Sequence, residues 1–373
     1  MGKITEENKF AVPADVDVVL QKTAQTYRKD LIKMPTHGMA KSLKYMTLRP
    51  GIRASETVGE LIADAQFGPY NETRKTDAGV KIVPRTLEVF LGNVTVPFSP
   101  NSVYSTVWGA NTLNGEALKN VPIALQVLQL IALRLGKHLD QALFKAVRNA
   151  SGDKSVDLFN GFDTIAKAEL TNNKLSADLG NLVKVSDILG DNQTINSDNA
   201  VDFAQGICEA ADDELMNEEK LYLYVPQTFV NLYNKAFEKR FGSIPYNTKY
   251  DHNNVIGFEN VEFAVLGNKK DAPFFQLTTK SNMLVGVNEA INSDAEKVEV
   301  GKYDSWQLTY AAAKILGVQY ESINKERALF VTDDGSKPLI QKSATAKGSN
   351  TVSGSSDPVD DGEAKNKLSP YYI

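Results

Sequence analysis

The sequence predicts a mixed α+β fold: a projecting hairpin, one long helix and a compact α/β domain. Three observations carry that expectation. Across residues 122–149 apolar side chains recur at three- and four-residue steps (Leu128, Ile131, Leu135, Leu139, Ala142, Ala146), with Gly136 the one internal glycine. At about 1.5 Å per residue this is a rod of roughly 40 Å, well beyond the usual three turns. Upstream, 56–67 and 80–98 read as extended runs around a polar tip, 68–79. Downstream, helical and strand-like runs alternate from 160 to 300.

The elements follow in order. Residues 14–33 have helical spacing through Val16, Val19, Leu20, Ala24, Tyr27 and Leu31. Between Gln21 and Arg53 the basic residues are Lys22, Arg28, Lys29, Lys33, Lys41, Lys44, Arg49 and Arg53, against Asp30 alone. Such a segment is either a solvated helix face or an arm lying on something anionic. The runs 56–67 and 80–91 pair as an antiparallel ribbon, because GPYNETRKTDAG between them is rich in turn-formers and cannot bury itself. A lone two-stranded ribbon is marginal in water, so its apolar members need a surface from elsewhere. After the long helix, 156–170 is a turn leading into a short helix, and 171–199 is polar and loop-rich. A helix over 198–217, a buried strand LYLYV at 221–225 and a helix over 226–241 come next. Residues 261–266, 274–279 and 283–287 form a small sheet, and 304–318 resumes strand character leading to 319–331. The stretch 332–367 is dense in Ser, Gly, Asp, Lys and Thr, a composition that favours disorder, yet the chain closes on the apolar LSPYYI.

Composition narrows the function. The chain has 373 residues, of which 42% are apolar, enough for substantial cores. A net charge of −5 does not describe a nucleic-acid-binding polycation. Cys208 is the single cysteine, which excludes an intrachain disulfide and a thiolate zinc cluster. Neither a signal-peptide pattern nor eighteen consecutive apolar residues occurs, so the chain reads as soluble and made inside the cell.

The search for chemistry is mostly negative. His37, His138 and His252 are scattered without metal-ligand spacing, and no phosphate-binding loop, dinucleotide fingerprint or nucleophile elbow appears. The carboxylates at 212–214, 218–219, 333–334 and 357–361 read as solvated surface. Cys208, beside Ile207, Ala210 and Ala211, reads as an inert core thiol. No catalytic residue, cofactor or metal is expected, and a chain of this size without a catalytic constellation leans structural.

The order of segments carries a family resemblance. NGFDTIAKA after the long helix; DNAVDFAQGICEAADDELMNEEKLYLYVPQTFVNLYNKAFEKRFG as helix–strand–helix ending on Phe241-Gly242; NVIGFENVEFAVL; TTKSNMLVGVNEA; and VEVGKYDSWQLTYAAAKILGVQY together resemble the major capsid proteins of tailed bacteriophages, the HK97-like fold. The likeness covers residues 15–330, and ETVGELIADAQFGPY further resembles capsid proteins of phages of gut Bacteroidetes.

The resemblance implies an N-terminal arm with its leading strands (1–55), an E-loop hairpin region (56–108), a peripheral domain with the spine helix (109–159), an axial α/β domain (160–300), returning peripheral strands (301–331) and a C-terminal extension (332–373). It implies a non-catalytic subunit that self-assembles as hexamers and pentamers into an icosahedral shell around double-stranded DNA. That shell forms in the bacterial host cytoplasm with scaffolding, portal and decoration proteins as partners. A hairpin starting near residue 56 leaves no room for an N-terminal scaffolding segment, so the scaffold is separate or already removed. The expected interface residues are Phe67, Tyr70, Val89, Leu91, Val96 and Phe98, with Tyr371, Tyr372 and Ile373 anchoring the tail as an intersubunit strap. The alternatives are an encapsulin-type nanocompartment shell, a hydrolase or transferase with its site in 160–300, and a carbohydrate-binding surface protein.

Overall fold

The computed structural model describes residues 16–63, 69–72, 80–98, 121–242, 254–288, 296–302, 304 and 307–340. All of them fall within one unit, 1–341. The chain begins with three helices, α1 (Val16–Thr26), α2 (Arg28–Gly38) and α3 (Ala40–Leu43), and a short strand β1 (Thr47–Arg49). The helix expected over 14–33 is thus divided at Tyr27 and runs further than its pattern suggested, through Pro35. Strands β2 (Ser55–Ala63), β3 (Val80–Glu88) and β4 (Phe90–Phe98) lead to the long helix α4 (Val121–Lys145).

Helix α4 turns Val127, Leu128, Ala132, Leu139, Ala142 and Leu143 into the interior, the stripe that its spacing specifies. It ends four residues before Asn149 for a backbone reason. The N–H groups of Val147 and Asn149 donate to the carbonyls of Val156 and Asp157 at 2.9 Å, so they no longer serve a helical ladder. Gly136 marks where α2 crosses α4: a Cβ there would stand 2.2 Å from the Pro35 carbonyl oxygen. Any side chain at that position would hold the two helices apart.

The rest of the chain comprises α5 (Phe162–Thr171), β5 (Leu182–Val183), α6 (Val185–Leu189), α7 (Ala200–Glu209), α8 (Asp213–Met216), β6 (Leu221–Val225), α9 (Gln227–Phe241), β7 (Asn254–Val255), β8 (Phe258–Val265), β9 (Phe275–Thr278), β10 (Met283–Val287), β11 (Val298–Lys302), β12 (Leu308–Tyr320) and β13 (Ala328–Val331). One expected helix, 198–217, is two, because Asp212 interrupts it and caps α8 by accepting from the Glu214 N–H at 3.1 Å.

Two sheets organise these strands. In the first, β12 is central: β10 and β11 follow one another along one of its edges and β4 takes the other, with Leu308 opposite Phe98 and Leu316 opposite Phe90. Strand β1 adds to β10 in parallel. The second sheet has the order β5-β13-β9-β6-β8-β7. The sheet membership therefore departs from the sequence expectation at two places. Strand β10, expected in the small sheet of 160–300, belongs to the first sheet, and β13, expected among the returning strands, lies in the second. Local pattern cannot make this distinction, since all five residues of β10 and all four of β13 are buried.

One core joins both sheets to α4 and α5. Phe144 and Phe162 meet Val285, Leu316, Val318 and Tyr320 of the first sheet and Tyr224, Ala264 and Phe330 of the second. A second core lies between the second sheet and helices α7 and α9, around Phe203, Phe229, Phe263 and Phe275. A third packs α1, α2 and α4 on β11 and β12.

Candidate assembly surface

Strands β2 and β3 form an antiparallel ribbon whose register runs from Ser55 opposite Glu88 to Ala63 opposite Val80. Alternation sorts its side chains onto two faces. Glu56, Val58, Glu60, Arg85 and Leu87 point to the body, and Val58 and Leu87 are buried there with Ile52, Val89, Leu284 and Ile315. The other face carries Thr57, Leu61, Val80, Ile82 and Thr86. Leu61 and Ile82 stand directly opposite one another and are 64% and 65% exposed, with Val80 beside them at 63%. Tyr70, in the segment joining the strands, is 90% exposed. The cluster stands open to water on a two-stranded ribbon, where an apolar patch of this kind commonly marks a contact surface.

The ribbon's inward face, by contrast, is fastened. The Arg85 guanidinium sits 2.7 Å from the Glu169 carboxylate of α5 and also donates to the Gln319 side chain at 3.1 Å and the Tyr320 carbonyl at 3.0 Å. Gln319 returns a bond to the Thr86 carbonyl at 2.9 Å. Glu60 accepts from the Ser322 hydroxyl at 2.6 Å and the Asn324 amide at 2.8 Å, with Arg327 3.7 Å away. A firm inward face behind an uncovered apolar one presents the surface in one orientation. A cleft of about 860 Å³ opens beside the inward face, with Arg85, Thr86, Phe90, Asn160, Ile165 and Glu169 among its walls.

The expected interface residues occupy different surroundings. Tyr70 is exposed in the segment joining β2 and β3, and Leu91 is 60% exposed on β4. Val89 is buried against Leu284 and Ile315 of its own chain, and Val96 and Phe98 pack partly onto the core beneath α1 and α4. The sequence reading paired the ribbon through residue 91 and kept the extended run to Phe98 within the hairpin region. The chain instead crosses to β12 after Glu88, which buries Val89 within the subunit and leaves Val96 and Phe98 half-buried. Phe67, Tyr371, Tyr372 and Ile373 lie outside the described residues. Leu61, Val80 and Ile82, exposed on the outer face, are not among the expected residues; adjacent apolar pairs such as Leu61-Ile62 hid the alternation that separates the faces.

Lys22, Lys29, Lys33, Lys41, Lys44 and Arg53 are exposed along α1 to α3 and the turn after β1, while Arg28 and Arg49 are half-buried. His37 and His138 are exposed, and His252 lies outside the described residues. No group of carboxylates, histidines or cysteines suited to a metal occurs among the described residues, and none of their helices is long and apolar enough to cross a membrane.

One polar cluster is of another kind, because it lies wholly inside the protein. Gly161 starts α5 against the α4 terminus, where a Cβ would fall 2.4 Å from the Phe144 carbonyl oxygen. This close approach places Asp163, in the first turn of α5, in the core. Lys269, fully buried, lies 3.2 Å from Asp163 Oδ1 and also donates to Gln276 Oε1. Gln276 Nε2 donates to the same Asp163 oxygen at 2.8 Å and approaches the Tyr320 hydroxyl at 3.3 Å. The Lys269 ammonium stands 4.3 Å from the centre of the Phe144 ring. Burial pushes the Asp163 carboxyl above its usual range and pulls Lys269 below its own, each partly opposed by the other's charge.

Comparison with known proteins places this geometry. No protein-family model and no curated protein sequence matches the chain. Solved structures do resemble it. The capsid of an empty GTA particle matches at TM-score 0.50 with 13% identity, over 79% of this chain and 89% of that one. A chain of the satellite phage P4 procapsid with its size determination protein matches at TM-score 0.47 and 11% identity, over 78% and 93%. Mycobacterium phage Bobi matches at 0.44 and 12%, over 79% and 91%. At such identities what is shared is the fold, and the GTA likeness carries that statement: the chain has a capsid-type fold of mixed helix and sheet.

Proposed function

We propose that this chain is the major capsid protein of a tailed-bacteriophage-type particle, a structural subunit that turns over no substrate and whose copies close into an icosahedral shell around packaged double-stranded DNA. The observation that supports this most is the fold shared with the GTA capsid over 79% of the chain. In this reading the β2–β3 ribbon is the E-loop, α4 the spine helix, the second sheet with α7 and α9 the axial domain, and the first sheet the peripheral domain. The exposed face of Leu61, Val80 and Ile82 then meets a neighbouring copy within hexamers and pentamers. The basic segment from Lys22 to Arg53, with 8 − 1 = 7 net positive charges, faces the DNA, and its contacts weaken with salt through counterion release. Scaffolding, portal and decoration proteins complete the assembly, and the tail beyond residue 340 straps one subunit to the next.

Negative-stain microscopy of the purified, overexpressed chain tests the reading, with closed shells of regular size expected. Deleting residues 68–79, or introducing Leu61→Glu with Ile82→Glu, should leave a folded subunit that no longer closes shells. Normal particles from both variants would remove the ribbon from the interface. A chain that stays monomeric at every concentration and salt tried would overturn the shell itself. Native particles filled with a protein cargo would favour the encapsulin-type alternative, and a basic segment found on the outer surface would refute the DNA contact.

A further inference from the structure

The geometry points to an intrachain amide bond between Lys269 and Gln276, formed by the folded protein on itself with Asp163 as the catalytic group. The three side chains satisfy one another, and they also stand in the order that a reaction between them needs. Lys269, Asp163 and Gln276 are all buried, and they sit in an aromatic enclosure in which Phe144 neighbours Phe162, Phe162 neighbours Tyr320, and Tyr320 neighbours Phe330 at ring separations of 5.2–5.5 Å. Withdrawing such an ion pair from water costs several kcal/mol per charge, and an apolar trio of the same volume would hold the core at least as well. Burial also favours the neutral forms, a free amine and a carboxylic acid, which are the forms that aminolysis requires.

The positions suit the reaction. Lys269 Nζ donates to the Gln276 carbonyl oxygen, which puts it roughly 3–3.5 Å from Cδ, the separation of a near-attack pair. A small turn of the amide about its last torsion presents the carbonyl face to the nitrogen. Asp163 Oδ1 touches both nitrogens that must exchange a proton, at 3.2 Å from the nucleophile and 2.8 Å from the leaving group. The Nζ lone pair attacks Cδ, and the carboxyl group accepts a proton from Nζ and delivers one to Nε2. The Nζ–Cδ bond forms, the Cδ–Nε2 bond breaks, and one molecule of ammonia leaves with the carboxyl regenerated. No oxidant, metal or second protein is needed. Lys269 precedes β9 and Gln276 lies within it, so the bond closes a short ring at a point where α5, β9 and β12 meet.

Mass spectrometry of the denatured full-length chain tests this. The wild-type protein, held folded, should weigh one ammonia less than its sequence, whereas Lys269→Met and Asp163→Asn should keep their sequence masses. Tryptic digestion should fail after Lys269 and yield that lysine joined to the peptide containing Gln276. In Gln276→Glu the same ring would close with loss of water. The wild-type measurement stands even where a variant does not fold. A wild-type chain at full sequence mass after prolonged incubation, or an ammonia loss mapping to other residues, would overturn the proposal. An equal loss in folded Asp163→Asn would overturn the part given to the carboxyl group.

Discussion

Cys208 shows how far a single residue can be read without a structure. Its neighbours predicted a core thiol, and it is indeed buried among Val201, Phe203, Ala204 and Ile207. Burial, helped by the adjacent Glu209 charge, pushes the thiol up to about 12. At pH 8 almost no thiolate exists in the folded state, so an alkylating reagent should label Cys208 only once denaturant has unfolded the chain. Complete labelling of the native protein on the timescale of a free thiol would contradict this packing. Asp163 shows the opposite case. Its NGFD context reads as a turn into a helix, which is correct, but the meaning of the carboxylate depends on Lys269, more than a hundred residues away. Nothing in local spacing announces a partner that only the fold supplies.

At the scale of elements, ribbon and long helix were legible because each obeys one period, two for the strands and 3.6 for the helix. What local pattern did not reveal was where the ribbon stops. Val80 to Phe98 is a nearly unbroken extended run, and the change of partner from β2 to β12 at Val89 depends on β12, two hundred residues later. The inward face of the ribbon rests on Arg85, whose side chain is nearly enclosed beside Glu169. Replacing Arg85 with Met would leave Glu169 paired only with Lys174, 3.4 Å away and exposed, and would take a donor from the Tyr320 carbonyl, at about 1–3 kcal/mol. Urea denaturation should show that loss as a lowered midpoint. Leu61→Glu, on the open face of the same ribbon, should shift the midpoint by less than about 0.5 kcal/mol. Equal effects from the two would mean that the open face is already covered within the subunit.

For the whole molecule, the shared core of Phe144, Phe162, Tyr224, Val285, Tyr320 and Phe330 makes the two sheets one structure rather than two tethered domains. Strand exchange strengthens that union: the chain leaves the second sheet at β9, builds β10 to β12 in the first, and comes back as β13. The end of the described chain is bound into this return. Leu339 is buried in the core under α7 and α9, and its N–H donates to the Ala272 carbonyl at 3.2 Å. Residues 332–340, read from their composition as the start of the C-terminal extension, are described as far as Ile340 and carry Leu339 into that core. Two truncations separate body from extension. A chain ending at Ile340 should keep the subunit's denaturation midpoint. A chain ending at Pro338 discards the Leu339 side chain, worth about 1.5–3 kcal/mol when buried, together with its backbone bond. It should therefore unfold measurably earlier, still in one transition because the shared core is intact. Identical midpoints for the two truncations would show that Leu339 adds nothing to the core, and separate transitions for the two sheets would break the single-structure account.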